Sequence, residues 1–212
     1  GVYELCEQCQ INPNRVDISE PAEGYTDTDI GYYLELDNYA TSDEDNHYIS
    51  MDYENATVTD INGETRQFVP AEYSIKNDLY SQNQIDFIDK YLNNLFKIVY
   101  EACENGKYYK FDENYDLVDS DVTTAEEAVS NVMDIDSVRD MYILYEIVHD
   151  YDCGEGSFYM CVDLSKDSKC PKLKFTSPWD FNWAYNESTS IIFLSAVIIC
   201  PVKIPRRSEF KL

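Results

Sequence analysis

Positive charge is scarce in this sequence. Its 16 lysines and arginines face 41 aspartates and glutamates, for a formal net charge of −25 and a pI near 4.1. A field of that sign repels phosphate, which speaks against nucleic acid or an anionic membrane surface as a general partner. Histidine is scarcer still, at two residues, and the one Cys-x-x-Cys pair, Cys6 and Cys9, has no second pair. That combination argues against a zinc knuckle. A redox Cys-x-x-Cys belongs at a helix start, whereas this one lies in a strand-like segment. No glycine-rich phosphate loop of the usual spacing is visible among the seven glycines. The run Ile191 to Cys200 is ten residues long, about half of the ~20 that span a bilayer, so no membrane span is expected. The chain opens at Gly1-Val2-Tyr3 without a methionine or a signal sequence, in what reads as the middle of a strand, and it is expected to be a fragment.

What is present is a chain able to fold. Nineteen tyrosines and nine phenylalanines supply enough apolar area to exclude a disordered acidic tail. At 212 residues it can bury one sizeable core, or two small lobes sharing a cleft. Seven cysteines are scattered along it. Cys161 and Cys170 are spaced to bridge a hairpin in an oxidising compartment, and the odd total leaves at least one thiol over.

Residues 1–73 read as β-rich. Val2–Leu5, Arg15–Ile18, Tyr32–Leu36, Tyr48–Met51 and Arg66–Val69 are short aromatic or β-branched runs between turn-forming clusters, with Asn62-Gly63 as a turn signal. The acidic loop Ser42–His47 lacks the glycine and distal glutamate of a calcium loop and reads as solvated. A boundary is expected near Pro70–Tyr73. Beyond it, Ser81 and Gln84 form a capping box for a helix running toward Cys103, with Ile85, Ile88, Leu92, Leu95 and Val99 on one face and Asn105-Gly106 as its stop. Tyr108–Phe111 and the acidic turn through Asp121 read as irregular. Thr124 starts a short helix ending near Met133, and Ser137 is expected to cap a third helix with Val138, Met141, Tyr142, Tyr145 and Val148 on one face. His149 reads as its C-terminal cap.

The chemistry concentrates between Asp150 and Asn182. Two short runs, Ser157–Val162 and Lys172–Phe175, read as a hairpin. Asp152 precedes the first strand and Asp180 follows the second, so an antiparallel pairing brings the two carboxylates to one edge. Pro178 ends the second strand, since it cannot donate to the ladder. A hard divalent cation takes one or two carboxylates plus substrate phosphates, which is a phosphoryl-transfer layout. Against it stands the plain alternative of two turn residues in an aspartate-rich chain.

Pro178-Trp179-Asp180-Phe181-Asn182-Trp183-Ala184-Tyr185, preceded by Lys172–Phe175 and Asp150-Tyr151-Asp152, resembles the spore-coat CotH family of atypical protein kinases. Gly1–Glu7 with Asn14-Arg15-Val16, and Asp134–Ser137 at a helix start, are similar to further family motifs, so the resemblance spans roughly residues 1–186. It implies an α+β, kinase-like two-lobed fold, with a β-rich small lobe at 1–73, a mainly helical larger lobe with a catalytic hairpin at 74–187, and an atypical tail at 188–212. It implies ATP with Mg2+ or Mn2+ as cofactors, Asp152 as general base, Asp180, Asp150 and Asn182 on the metal, and Glu7 at the nucleotide side. The implied acceptor is a Ser or Thr hydroxyl of a coat or surface protein, and the implied location is extracellular or at the cell or spore surface. Two positions depart from the family pattern. Asp150 stands where asparagine is usual, adding a negative charge beside the base, and Asn182 stands where a second aspartate is usual. The family's nucleotide-contacting basic residue is expected upstream of Gly1. Arg15 reads as a structural ion-pair partner, and Trp179 and Trp183 as packing residues between the lobes. These departures support an alternative, a catalytically inactive kinase-derived binding module. A carbohydrate-associated module, using tyrosine stacking surfaces, is a third.

Overall fold

The computed structural model describes residues 8–37, 39–42, 48–51, 57–59, 63–67, 71–150, 153, 156–181 and 184. The expected strand Val2–Leu5, the acidic stretch 43–47 and the 188–212 tail lie outside them. The described fold is α+β. Strands β1 (Gly31–Leu36), β2 (Tyr48–Met51), β5 (Ala71–Ile75), β8 (Phe158–Asp163) and β9 (Lys174–Thr176) form one antiparallel sheet in the order β2-β5-β1-β8-β9. Helices α1 (Gln82–Tyr100), α2 (Ala125–Val132) and α3 (Ile135–Val148) accompany it. Two small hairpins complete the picture, β3 (Thr57–Thr59) with β4 (Thr65–Gln67), and β6 (Tyr109–Phe111) with β7 (Leu117–Asp119).

The sheet buries both faces because its central strands alternate between two sets of partners. Tyr32, Leu34 and Leu36 of β1, with Phe158, Met160 and Val162 of β8, enter the main core. The residues between them, Tyr33, Tyr159 and Cys161, enter a second and smaller cluster with Val16 and Ile18. Gly31 is required where this second layer crosses β1. A Cβ there would lie 2.6 Å from the Ser19 carbonyl oxygen, which accepts the Gly31 N–H at 2.8 Å.

Helix α1 covers the main core as its periodicity predicts. Ile88, Leu92, Leu95 and Val99 are buried, and Ile85 packs at the margin. Each fully buried aliphatic side chain contributes roughly 1.5–3 kcal/mol of transfer free energy. The capping box is present. The Ser81 side chain accepts the Gln84 N–H, and Gln84 Oε1 accepts the N–H groups of Ser81 and Tyr80. Gln84 is fully buried, and its amide nitrogen donates to the carbonyls of Tyr25 and Asp27, so the cap also fixes the preceding loop. A π turn, Glu101–Asn105, extends the helix until Gly106 ends it in the left-handed conformation.

Several expectations require adjustment. The helix expected to be capped by Ser137 is capped by Asp134, whose carboxylate accepts the Ser137 N–H at 3.1 Å. Ser137 instead sits in the first turn, and its Oγ accepts the Phe175 N–H of β9. Arg15–Ile18 is no strand but a single bridge between Ile11 and Val16. The segment expected to be irregular after Tyr108 is the β6–β7 hairpin. Its turn is set by Asp112, whose carboxylate accepts the N–H groups of Asn114 and Asp116, and Phe111 stacks on Tyr91 of α1. Strand β5 runs across residue 73, between β2 and β1, and β8–β9 join the sheet from the far end of the chain.

Candidate functional site

The β8–β9 hairpin has a turn end and an open end. Its register pairs Tyr159 with Thr176 and Cys161 with Lys174, so the residue before β8 and those after β9 meet at one edge. There Ser157 Oγ lies 3.4 Å from Asp180 Oδ2, a long contact. Helix α3 reaches the same edge because its buried face packs on the hairpin. Tyr145 lies 5.6 Å from the Phe158 ring and 5.5 Å from the Phe181 ring, while the Ser137 bond to Phe175 holds the other end of the helix. The chain then passes from Val148 through His149 to Asp150, so Asp150 and Asp180 are delivered to this edge by a helix and a strand.

The backbone of this edge is unusual. Five described non-glycine residues have positive φ, and four belong here: His149 (53°), Ser157 (55°), Ser177 (51°) and Asp180 (59°). Histidine and aspartate tolerate the left-handed region comparatively well, and serine less so. Holding an L-residue there costs roughly 1–2 kcal/mol, and such conformations persist only where surrounding contacts enforce them. One of those contacts is visible. The Tyr33 hydroxyl donates to Ser177 Oγ at 2.9 Å, tying the exit of β9 to β1. The left-handed Ser177, one residue past the register pair of Thr176 with Tyr159, turns the chain out of the sheet before Pro178. The backbone at His149 also terminates α3, as the sequence predicts for a cap.

Asp150 and Asp180 meet different surroundings. The Asp150 residue is buried, at 5% exposure, and its carbonyl accepts the Cys153 thiol at 3.3 Å. Asp180 is exposed. Between them stands the Tyr145 phenol. Burial, and then the charges of Cys153 and Asp150, raise its pKa well above the ordinary range, so it remains neutral. The Trp179 backbone is close to Tyr145 Oη, yet among the described residues that buried oxygen has no partner in hydrogen-bond geometry. Trp179 itself packs, partly buried, on the second cluster. The expected base Asp152, the metal-site residue Asn182, the nucleotide-side Glu7, Cys6 and Trp183 all lie outside the described residues. Among the described residues, no three His, Cys, Asp or Glu side chains converge as a ligand group. The donors described at the edge, the Asp180 carboxylate and the Ser157 hydroxyl, are hard oxygens. They fit a hard divalent cation that retains most of its water.

A second polar constellation was not legible in the sequence. On the sheet face that carries Tyr33 and Tyr159, Lys76 Nζ pairs with Glu35 Oε2 at 2.7 Å. The Tyr159 phenol approaches the same carboxylate and stacks on Tyr33 at 5.4 Å; burial foremost, then Glu35, raises its pKa. Ser74, across from Glu35 on β5, is fully buried, and neither its Oγ nor the buried Glu72 Oε2 has a hydrogen-bond partner among the described residues. No motif spacing announces these residues, because strand pairing alone brings them together.

No helix among the described residues is long and apolar enough to cross a membrane. Comparison of the chain with protein-family models, curated proteins and solved structures finds no match.

Proposed function

We propose that the open end of the β8–β9 hairpin is a metal- and nucleotide-binding edge, and that the chain is a kinase-like domain of the CotH type that transfers a phosphoryl group to a protein Ser or Thr hydroxyl. The observation that carries this reading is the concentration of left-handed, non-glycine residues at His149, Ser157, Ser177 and Asp180. Strain gathered at one edge, around an exposed carboxylate, is what a site held in a working geometry requires. The resemblance of residues 150–152 and 178–185 to the CotH motifs supplies the chemistry. In this reading the lobe at 1–73 provides the β-rich side and residues 74–187 the helical side, with β8 and β9 adding to the sheet.

Asp180 would hold Mg2+ or Mn2+ with ATP, and Asp150 and Asn182 would stand at the second metal position. Bound there, the cation would neutralise charge developing on the phosphates. Asp152 accepts the proton of the acceptor hydroxyl, and Glu7 orients the nucleotide side. The acceptor is a coat or surface protein, met outside the cell or on the spore surface. A second reading, a kinase-derived binding module without transfer, is favoured by the burial of Asp150. A carboxylate inside the packing is less open to a hydrated cation than an exposed one.

Thermal unfolding with and without Mg-ATP separates the two, for the wild-type chain and for Asp180→Ala. Ligand at a hundred times its dissociation constant adds about 2.7 kcal/mol, which is several degrees for a chain of this size. A shift that disappears in Asp180→Ala supports the kinase reading and leads to a phosphotransfer assay. A folded wild-type chain that shows no shift overturns it in favour of the binding module.

A further inference from the structure

At the other end of the same hairpin, we propose that Cys161 and Cys170 form a reversible disulfide by exchange with a low-molecular-weight disulfide, closing the β8–β9 turn. Their Sγ atoms lie 4.0 Å apart, a separation that rotation of the side chains can close. The backbone that carries Cys170 is held for this approach. Its carbonyl accepts the Asp163 N–H at 2.8 Å, and its own N–H donates to Ser168 Oγ at 2.9 Å. Both thiols belong to the second cluster, where Cys161 is buried and Cys170 half-buried. No group of three metal-ligating side chains forms among the described residues, so the pair suits a bond between the two sulfurs better than a shared thiophilic metal.

The two sulfurs are unequal, and this sets the order of events. The hydrogen bond from the Cys161 thiol lowers the Cys170 pKa, against the opposing effect of burial, and the nearby Lys174 ammonium lowers it further. The same hydrogen bond, with burial, raises that of Cys161. The Cys170 thiolate therefore attacks the incoming disulfide first and forms a mixed disulfide as one small thiol departs with a proton. Cys161 then attacks Cys170 Sγ, and the second small thiol leaves with the second proton. Two protein thiols and one external disulfide become one protein disulfide and two external thiols, and excess thiol reverses the sequence. The bond would tie β8 to its turn inside the cluster on which Trp179 packs, one residue from Asp180. The inference does not rest on nucleotide binding at that edge.

The test uses the full chain, reduced and then exposed to oxidised glutathione, blocked with an alkylating reagent and digested with trypsin. Lys166 and Lys169, both exposed, lie between the two cysteines, so cleavage separates them unless they are bonded. The expected result is that the peptide beginning after Arg139 remains joined to the one beginning after Lys169, about 2 Da lighter than their sum as free thiols. Fragmentation should place the bond at Cys161 rather than Cys153, reductant should release it, and Cys170→Ser should abolish it. Recovery of Cys161 and Cys170 alkylated after the oxidant has been consumed overturns the proposal. So does a bond from either of them to Cys9. The mapping needs only the wild-type chain, so it holds even if a variant fails to fold.

Discussion

The two ends of the β8–β9 hairpin are built in opposite ways. At the turn end, every described contact satisfies a polar group. Asp163, buried to 3% exposure, accepts the Ser19 N–H and hydroxyl and the Ser165 N–H. Its own N–H goes to Cys170, and Leu164 donates to Ile30. No described non-glycine residue between 164 and 173 has a positive φ. At the open end, four residues hold left-handed backbone, one side-chain contact is long at 3.4 Å, and the buried Tyr145 hydroxyl has no hydrogen-bond partner among the described residues. One hairpin thus carries a closed anchor and a strained edge. The rigidity of the first lets the second keep a conformation it would not choose alone.

Breaking the anchor should have the largest effect. Asp163→Ala leaves the Ser19 and Ser165 donors without their acceptor and should cost about 3 kcal/mol, or roughly 6–12 °C in a thermal melt. The same carboxylate predicts a pH dependence. Burial opposes its charge, but the hydrogen bonds from Ser165 and Ser19 prevail and hold its folded pKa below the ordinary value. Its contribution is therefore complete above the unfolded aspartate pKa of about 3.9 and is lost as pH falls through the folded value. Comparison of melting curves from neutral to acid pH should show the gap between wild type and Asp163→Asn narrowing in that window. A constant gap would refute the assignment.

Next in size is Ser137→Ala, which strips the Phe175 N–H of its buried acceptor and loosens α3 from the hairpin. Denaturant unfolding should register a loss of about 2 kcal/mol. Smaller, and opposite in sign, is the effect expected at the strained edge. Ser157→Gly removes the left-handed penalty at the expense of a weak contact and should raise stability by up to ~1 kcal/mol; a fall would mean that the contact outweighs the strain. Last is Asp180→Ala, which puts alanine where aspartate tolerates the left-handed backbone better and should lower the stability of the unliganded chain by about 0.5–1 kcal/mol while removing any Mg-ATP shift.

The parts of the fold set by neighbouring residues were legible in the sequence. Ser81 and Gln84 announce α1, Thr124 announces α2, and the aromatic and aliphatic run Tyr32–Leu36 marks β1 as a strand. Parts set by distant partners were not. Asp134 and Ser137 are both competent caps, and the choice between them is made by Phe175, which occupies the Ser137 hydroxyl from across the sheet. Residues Ala71–Ile75 follow a proline and include alanine and glutamate, so they read as a boundary, although pairing with β2 and β1 makes them a central strand. Of the candidate site, the convergence of the hairpin's ends followed from antiparallel pairing. The strain did not, since nothing local in Ser157 or Ser177 favours a left-handed backbone. The Glu35–Lys76 pair was equally hidden, because β1 and β5 must align before it exists.

The order of strands in the sheet also constrains how the chain reaches this state. β1 can pair with β5 before β8 exists, because far less chain separates it from β5 than from β8, but its other edge waits for β8, which is among the last elements in the sequence. Until then, a strand carrying Tyr32, Tyr33, Leu34 and Leu36 offers a full row of unpaired amides and carbonyls, a template for any other strand in reach. During synthesis the vulnerable interval lasts from the appearance of β5 to that of Phe158. Any truncation that ends before Phe158 would make the interval permanent and direct the chain toward self-association.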